Sequence, residues 1–150
     1  MQSKPELLDH IGWDLARAVR HWKTRFRNEM VARGYAWYGE ARGGLIQYIG
    51  RDGTPQSALT DLSGMSKQAV QQHLDDLERD GIIERADDPR DARRKLIRFT
   101  ETGNAALEDG NRIKKKIERE YRRLIGAEDM AALKRSLKTL VDSAENETRS

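Results

Sequence analysis

Apolar residues recur with a helical period over most of this chain and change to a strand-like period in one short stretch. From about Pro5 to Arg33, Leu8, Ile11, Leu15, Val19, Trp22, Phe26 and Met30 follow at steps of three and four, the stripe of an amphipathic helix. Pro5 suits its first turn and Gly34 its stop. At 1.5 Å per residue such a helix is about 40 Å long, more than a small domain covers, so part of its stripe calls for another partner. A second helix ends near Gly50 on Leu45, Ile46 and Ile49; the Gly43-Gly44 pair leaves its start anywhere from Tyr38 to Gly44. Arg51-Asp52-Gly53 reads as a turn, Thr54 as an N-cap and Pro55 as the first residue of a short helix carrying Leu59 and Leu62. Gly64-Met65 breaks it. Ser66 caps the next helix, whose buried side is Ala69, Val70, His73, Leu74 and Leu77, and Gly81 stops it.

The period then changes. Ile82 to Arg85 and Lys95 to Thr100 are short β-type runs around the charged, turn-rich stretch Asp87 to Arg94, which predicts a hairpin with a long polar tip. Thr100 or Thr102 caps a helix with Ala106, Ile113, Ile117, Tyr121 and Leu124. Gly126 separates it from a last helix with Met130, Leu133, Leu137, Leu140 and Val141, and the tail from Ser143 is expected to fray. The fold class is therefore mainly α with a small β-hairpin.

Composition narrows the function classes. One hundred and fifty residues suit one domain, with 35% charged against 37% hydrophobic residues and a mean hydropathy of -0.87. No run of about 18 apolar residues is present, and Met1 to Pro5 leads into a mixed polar helix rather than a signal-peptide core, so a cytoplasmic protein without a membrane partner is expected. The absence of cysteine excludes disulfides, thiolate zinc sites, thiol catalysis and cysteine-based redox sensing. His10 and His21 lie eleven residues apart, about three helical turns, too far to share one ion, and His73 fits a packed position; no metal and no cofactor are expected. There is no phosphate-binding glycine loop, no HExxH, no GxSxG and no carboxylate pair in an apolar setting, which argues against an enzyme and leaves no catalytic candidate. A net charge of +3 permits nucleic-acid binding without requiring it.

The order short helix, glycine-containing turn, Ser-capped helix, charged hairpin is that of a winged helix-turn-helix. Such a second helix enters the major groove by its N-terminal end, where free N–H groups and the dipole also favour phosphate. Here that end offers Ser66, Lys67, Gln68, Gln71 and Gln72 on the side away from the apolar residues. Asp75, Asp76, Glu78 and Asp80 would repel phosphates from the other end. Glutamine can pair with adenine N6 and N7, so Gln68, Gln71 and Gln72 are the candidate base readers and Lys67 a phosphate contact. In the hairpin Arg90, Arg93, Arg94, Lys95 and Arg98 alternate with Asp87, Asp88 and Asp91. An arginine on a narrow tip can enter the minor groove while a nearby Asp holds its guanidinium.

On Ser66 to Val70, Leu77 to Arg85, Asp88 to Arg94 and Leu96 to Gly103 the sequence resembles the MarR family of winged-helix transcription regulators. The resemblance implies one domain over residues 1–150, with a DNA-binding part at 36–103 and helical dimerisation parts at 5–34 and 104–145. It implies that Arg93 reaches the minor groove braced by Asp91, with Arg94 as a substitute. It also implies an obligate homodimer on a pseudo-palindromic duplex. Many family members carry Arg where this chain has Gln72 and Asp76, which shifts weight from the recognition helix to the wing. The family commonly releases DNA when a small aromatic or phenolic anion binds. Trp13, Trp22, Trp37, Tyr38 and Tyr48 are candidate pocket residues, with His21 or an Arg as polar anchor, although aromatics at helical spacing also serve as packing. The expected function is a sequence-specific, ligand-released repressor. A non-specific architectural DNA binder without an effector is the alternative, and a winged helix docking an acidic protein is a third reading.

Overall fold

The computed structural model describes residues 6–149, so the expectation for Pro5 lies outside the described residues. The elements run α1 (Ile11–Ala32), two 3-10 helices (Ala36–Gly39 and Ala41–Tyr48), β1 (Thr54–Pro55), α2 (Gln56–Ser63), α3 (Lys67–Arg79), β2 (Ile83–Asp88), β3 (Asp91–Phe99), α4 (Glu101–Ile125) and α5 (Ala127–Arg149). The strands form one antiparallel sheet in the order β1-β3-β2. The chain divides into two units, Met1–Gly110 and Asn111–Ser150, with the boundary inside α4.

Helix α1 starts later than its stripe predicts, because His10 is extended (φ -148°, ψ 150°) and leaves Leu8 outside the helix. Only the end of the stripe is buried, at Phe26 and Met30; Ile11 and Val19 are half exposed or more. Trp22 stacks on Phe26 with ring centroids 5.3 Å apart, and Phe26 meets Tyr38 edge-on at 5.2 Å. Tyr35 donates a hydrogen bond to Asp109 at 2.6 Å and Arg33 pairs with the same carboxylate at 3.5 Å, which fastens the end of α1 to the start of α4.

The segment expected to be an α-helix up to Gly50 is wound as two 3-10 helices instead. Their junction is too tight for a side chain: a Cβ on Gly43 would lie 2.7 Å from the carbonyl oxygen of Tyr38. Leu45, Ile46 and Ile49 still point inward, so the apolar spacing was right while the winding was not. Thr54 is also not an N-cap. With Pro55 it forms β1 opposite Ile97 and Leu96, its hydroxyl accepting from Gly50 N–H at 2.9 Å and donating to the Tyr48 carbonyl at 3.1 Å. Helix α2 therefore begins one residue later than expected, after Pro55 rather than on it.

Helix α3 follows its sequence closely. Ser66 Oγ accepts from Ala69 N–H at 3.1 Å, and Val70, Leu74 and Leu77 are buried at spacings of four and three. Its end has both hydrogen bonds of a Schellman motif, Ile82 N–H to the Leu77 carbonyl and Gly81 N–H to that of Glu78, each 2.9 Å. These residues pack with Trp37, Leu45, Ile46, Leu59, Ile83, Ile97 and Ala106 in one apolar cluster beneath the hairpin. Thr100 caps α4, accepting from Gly103 N–H at 3.1 Å while donating to the Gly81 carbonyl at 2.5 Å.

In the second unit Ile113 and Ile117 are buried, Gly126 breaks the chain in the left-handed region at φ 92°, and Lys134 pairs with Glu118 at 2.5 Å. Helix α5 continues to Arg149, past Ser143, from which the sequence suggests fraying. Leu133, Leu137, Leu140 and Val141 stay substantially exposed along it. Among the described residues no helix is long and apolar enough to cross a membrane.

Candidate nucleic-acid interface

Two exposed features flank the core of the first unit. The first is the N-terminal half of α3, entered through a turn in which Gly64 is left-handed (φ 67°), a conformation open to glycine at little cost. Ser66, Lys67, Gln68, Gln71 and Gln72 are all exposed there, opposite the buried Val70 and Leu74. Their side chains differ in freedom. Gln71 is held at both ends of its amide, accepting from Gln56 Nε2 at 2.6 Å and donating to Asp75 at 3.0 Å. Gln72 donates to Asp76 at 3.3 Å, and Ser66 is occupied in capping.

The acidic half of α3 is not a bare negative end. Arg85 on β2 pairs with Asp75 at 2.8 Å and with Glu78 at 3.2 Å, Arg79 pairs with Asp76, and Arg42 pairs with Asp80 and, at 2.7 Å, with Glu40. Five carboxylates, Glu40 among them, against three arginines leave this neighbourhood net negative, though less so than the acids of α3 alone. Sequence reading missed Arg85. Its signal was a helix with more acids than its own element could balance, followed by a strand that carries a lone cation.

The second feature is the wing. The long polar tip expected between the β runs is in fact mostly strand: β2 continues to Asp88, β3 starts at Asp91, and only Pro89-Arg90 turn the chain. The extra residues are taken up elsewhere. Asp87 pairs with Lys95 but Asp88 pairs with Asp91, so Ala92, Arg93 and Arg94 bulge from β3. A bulge re-aims side chains. Arg93 projects with 91% of its side chain exposed, its Nε on Asp91 Oδ1 at 3.2 Å and its N–H on the same oxygen at 3.0 Å.

The remaining wing cations are tied into the hairpin. Arg94 pairs with Asp88 at 3.0 Å, Lys95 with Asp87 at 2.6 Å, and Arg98 with Glu84 at 2.5 Å. Arg90 keeps an exposed side chain while its N–H binds Asp88 at 2.9 Å. That N–H does most to lower the pKa of Asp88; burial of the carboxyl opposes the shift and Arg94 reinforces it. The hydrogen bond and charge of Lys95 likewise hold Asp87 below the usual carboxylate range.

The aromatic pocket candidates do not converge as a set. A hollow of about 290 Å³ is lined by Trp22, Lys23, Phe26, Arg27, Tyr38, Gly43, Gly44 and Gln47, and so contains Trp22 and Tyr38 alone of the six. Burial raises the Tyr38 hydroxyl above its ordinary pKa. Trp37 belongs to the core, Tyr48 packs against it, His21 is exposed, and Trp13 lies half exposed beside His10 at 5.1 Å. The polar groups at the hollow are Lys23, Arg27 and Gln47 rather than His21. His73 is half buried on the edge of α3, as expected. Among the described residues no group of three His, Cys, Asp or Glu is placed to hold a metal ion.

No curated protein sequence matches the chain. Solved structures do. The chain is similar to a mutant of MepR from S. aureus (19% identity, TM-score 0.70, covering 91% of this chain and 99% of that one) and to a mutant of MarR from E. coli (23%, 0.67, 91% and 99%). It is also similar to a probable transcriptional regulator from Pseudomonas aeruginosa (25%, 0.60, 88% and 97%). Residues 41–94, which span the second 3-10 helix, the helix-turn-helix and the wing to Arg94, match the sequence model of the MarR family. That match, on a fold shared over nine-tenths of the chain with the E. coli MarR mutant, makes the helix-turn-helix and wing similar to those of the MarR family of winged helix-turn-helix transcription regulators.

Proposed function

We propose that the protein binds a pseudo-palindromic duplex as a homodimer, with α3 in the major groove and the wing at the adjoining minor groove, and that it acts as a repressor. The observation that carries this reading is Arg93: an arginine bulged out of the wing, almost wholly exposed and braced by Asp91. A cation held clear of the surface has little stability to contribute and much to offer a narrow, negative groove. In support, MepR of S. aureus has been solved bound to an oligodeoxyribonucleotide. The exposed apolar rows on α1 and α5 support dimerisation through these helices.

A small aromatic anion is the proposed releasing ligand. The hollow between α1 and the 3-10 segment offers aromatic walls from Trp22, Phe26 and Tyr38 and cations from Lys23 and Arg27, the chemistry such a ligand uses. The PcaV regulator of Streptomyces coelicolor, which shares this fold, was solved with its natural ligand. Release requires the ligand to bind the DNA-free dimer more tightly than the DNA-bound one.

The test is selection from random duplex DNA, followed by titration of enriched and scrambled sequences at two salt concentrations. A two-fold symmetric site bound far more tightly than scrambled DNA is the expected result. Equal, salt-governed binding of all duplexes would instead make the protein an architectural binder. Titrating benzoate-type anions against the enriched site tests the effector, and an operator affinity unmoved at saturating ligand eliminates that part.

A further inference from the structure

Gln71 belongs to a closed ring of four side chains. Arg85 Nε donates to Gln56 Oε1 at 3.2 Å; Gln56 Nε2 donates to Gln71 Oε1 at 2.6 Å; Gln71 Nε2 donates to Asp75 Oδ1 at 3.0 Å; and Asp75 Oδ1 accepts in turn from Arg85 Nη2 at 2.8 Å. A glutamine amide can ordinarily be turned end for end, exchanging donor and acceptor. This ring removes that freedom. A guanidinium has only donors, so Gln56 must give it the oxygen and turn the NH2 group to Gln71. A carboxylate has only acceptors, so Gln71 must give Asp75 its NH2 group and keep its oxygen toward Gln56. The two ends of the ring dictate the same order.

Each polar atom of the Gln71 amide keeps one valence open: the second N–H of Nε2 and the second lone pair of Oε1. An adjacent donor and acceptor in a fixed order are what the major-groove edge of adenine accepts, with N7 taking the donor and N6 supplying the other hydrogen. Gln71 is exposed, as base contact requires. Among the described residues Gln72 is held by Asp76, and no such ring encloses Gln68.

We propose that Gln56, anchored by Arg85, is a specificity-determining positioning residue that fixes the donor and acceptor order of the Gln71 amide for pairing with an adenine in the operator. The inference rests on the DNA-reading function proposed above. Gln56 lies on α2, outside the helix that enters the groove, so its effect on base choice passes through Gln71. Ordering the amide before DNA arrives spares the complex the cost of freezing it on binding.

Three variants test this by selection from random duplex DNA, beside the wild type and together with non-specific affinity and thermal unfolding. Gln71→Ala removes the reader. Gln56→Met keeps volume and removes the ordering. Gln56→Glu keeps the bond to Arg85 but has no donor for Gln71, so either orientation of that amide sets its oxygen against a carboxylate and the donor and acceptor order is no longer fixed. The expected result is a wild-type adenine preference at one position of each half-site that weakens at least about five-fold in all three variants, within the range of one bidentate pair. Preferences at the other positions, non-specific affinity and the melting temperature are expected to persist. An unchanged preference with either Gln56 variant overturns the proposal, as does an unchanged preference with Gln71→Ala. A uniform loss of affinity at every position overturns it too, since it would mark Gln56 as a prop for the helix. A wild type that enriches no site overturns the DNA-reading function itself, an outcome separate from all of these.

Discussion

Arg93 binds one oxygen of Asp91 twice, through its own backbone N–H at 3.0 Å and through Nε at 3.2 Å. The backbone bond fixes the bulge and the side-chain bond fixes the direction of the guanidinium, whose terminal nitrogens stay available. In water such an exposed pair contributes about 0.2 to 1 kcal/mol. Arg93→Ala is therefore expected to leave the melting temperature unchanged while weakening every duplex by about ten-fold and lowering the salt slope of binding by about 1. Asp91→Ala is expected to cost only about two- to five-fold, the worth of the brace rather than of the arginine. Titrations of enriched and scrambled DNA check both; equal losses for the two variants would mean that Asp91 itself faces the DNA.

The wing turn should respond to acid through Asp88. Only 4% of this residue is exposed, and its carboxylate accepts from Arg90 N–H and Arg94 Nη2. The folded-state pKa lies below the ordinary value, so the stabilisation is present in full above that value and is lost as pH falls through it toward the folded pKa. Arg90, Arg94 and, across a shared hollow, Asp52 face this carboxylate, and Lys95 acts on its neighbour Asp87. The amide signal of Arg90 followed by NMR is expected to shift with the titration of Asp88 below pH about 4 and to lose that step in Asp88→Asn. Asp87→Asn should keep it. A step that survives Asp88→Asn would assign the titration to another group.

Periodicity made the helices and the buried faces legible, because burial of apolar side chains determines both: Val70, Leu74 and Leu77 lie inward as their spacing implied. Caps were equally legible at Ser66 and Thr100, where the hydroxyl has a local acceptor role. What failed depended on non-local partners. Thr54 resembles an N-cap until Ile97 arrives to pair with it, and the 3-10 winding at Gly43 follows from backbone contact with Tyr38. The site divided in the same way. The pairing of Arg93 with Asp91, two residues away, was implied by the family resemblance, whereas Arg85, Gln56 and Gln71 meet across as many as 29 positions, and only the excess of acids on α3 hinted at Arg85. The aromatic pocket was overread, since Trp37 and Tyr48 are committed to the core.

Gly103 is a point where the fold leaves no space. A Cβ there would run into the carbonyl oxygen of Ile82, the group that already accepts from Thr100 N–H at 3.1 Å. The obstacle is backbone, so it cannot rotate aside; the start of α4 or the end of α3 has to move. Gly103→Ala is expected to cost about 1 to 3 kcal/mol, the range of overpacked sites, and to lower the melting temperature by about 3 to 10 °C. Gly126→Ala provides a contrast, with open space around its Cβ and only the left-handed φ of 92° to oppose it. Thermal unfolding by circular dichroism orders the two, and a Gly103→Ala protein as stable as the wild type would show that α4 is not seated on this carbonyl.

The strongest test of the dimer is a charge on α5. Leu133, Leu137, Leu140 and Val141 recur at steps of four, three and one, the row of one helix face, and each is at least 38% exposed in the single chain. If this row faced water, Leu137→Asp would exchange one exposed residue for another and change little. If the row is shared between two copies, every dimer gains two carboxylates in an apolar seam, each costing several kcal/mol without a partner. Sedimentation is expected to give the wild type at twice 17.2 kDa and Leu137→Asp as a monomer or an unfolded chain. Lys134→Ala, one turn earlier on α5 in an exposed pair with Glu118, is expected to remain dimeric and controls for helix stability. A Leu137→Asp protein that is dimeric and melts with the wild type would place the interface elsewhere and remove α5 from it.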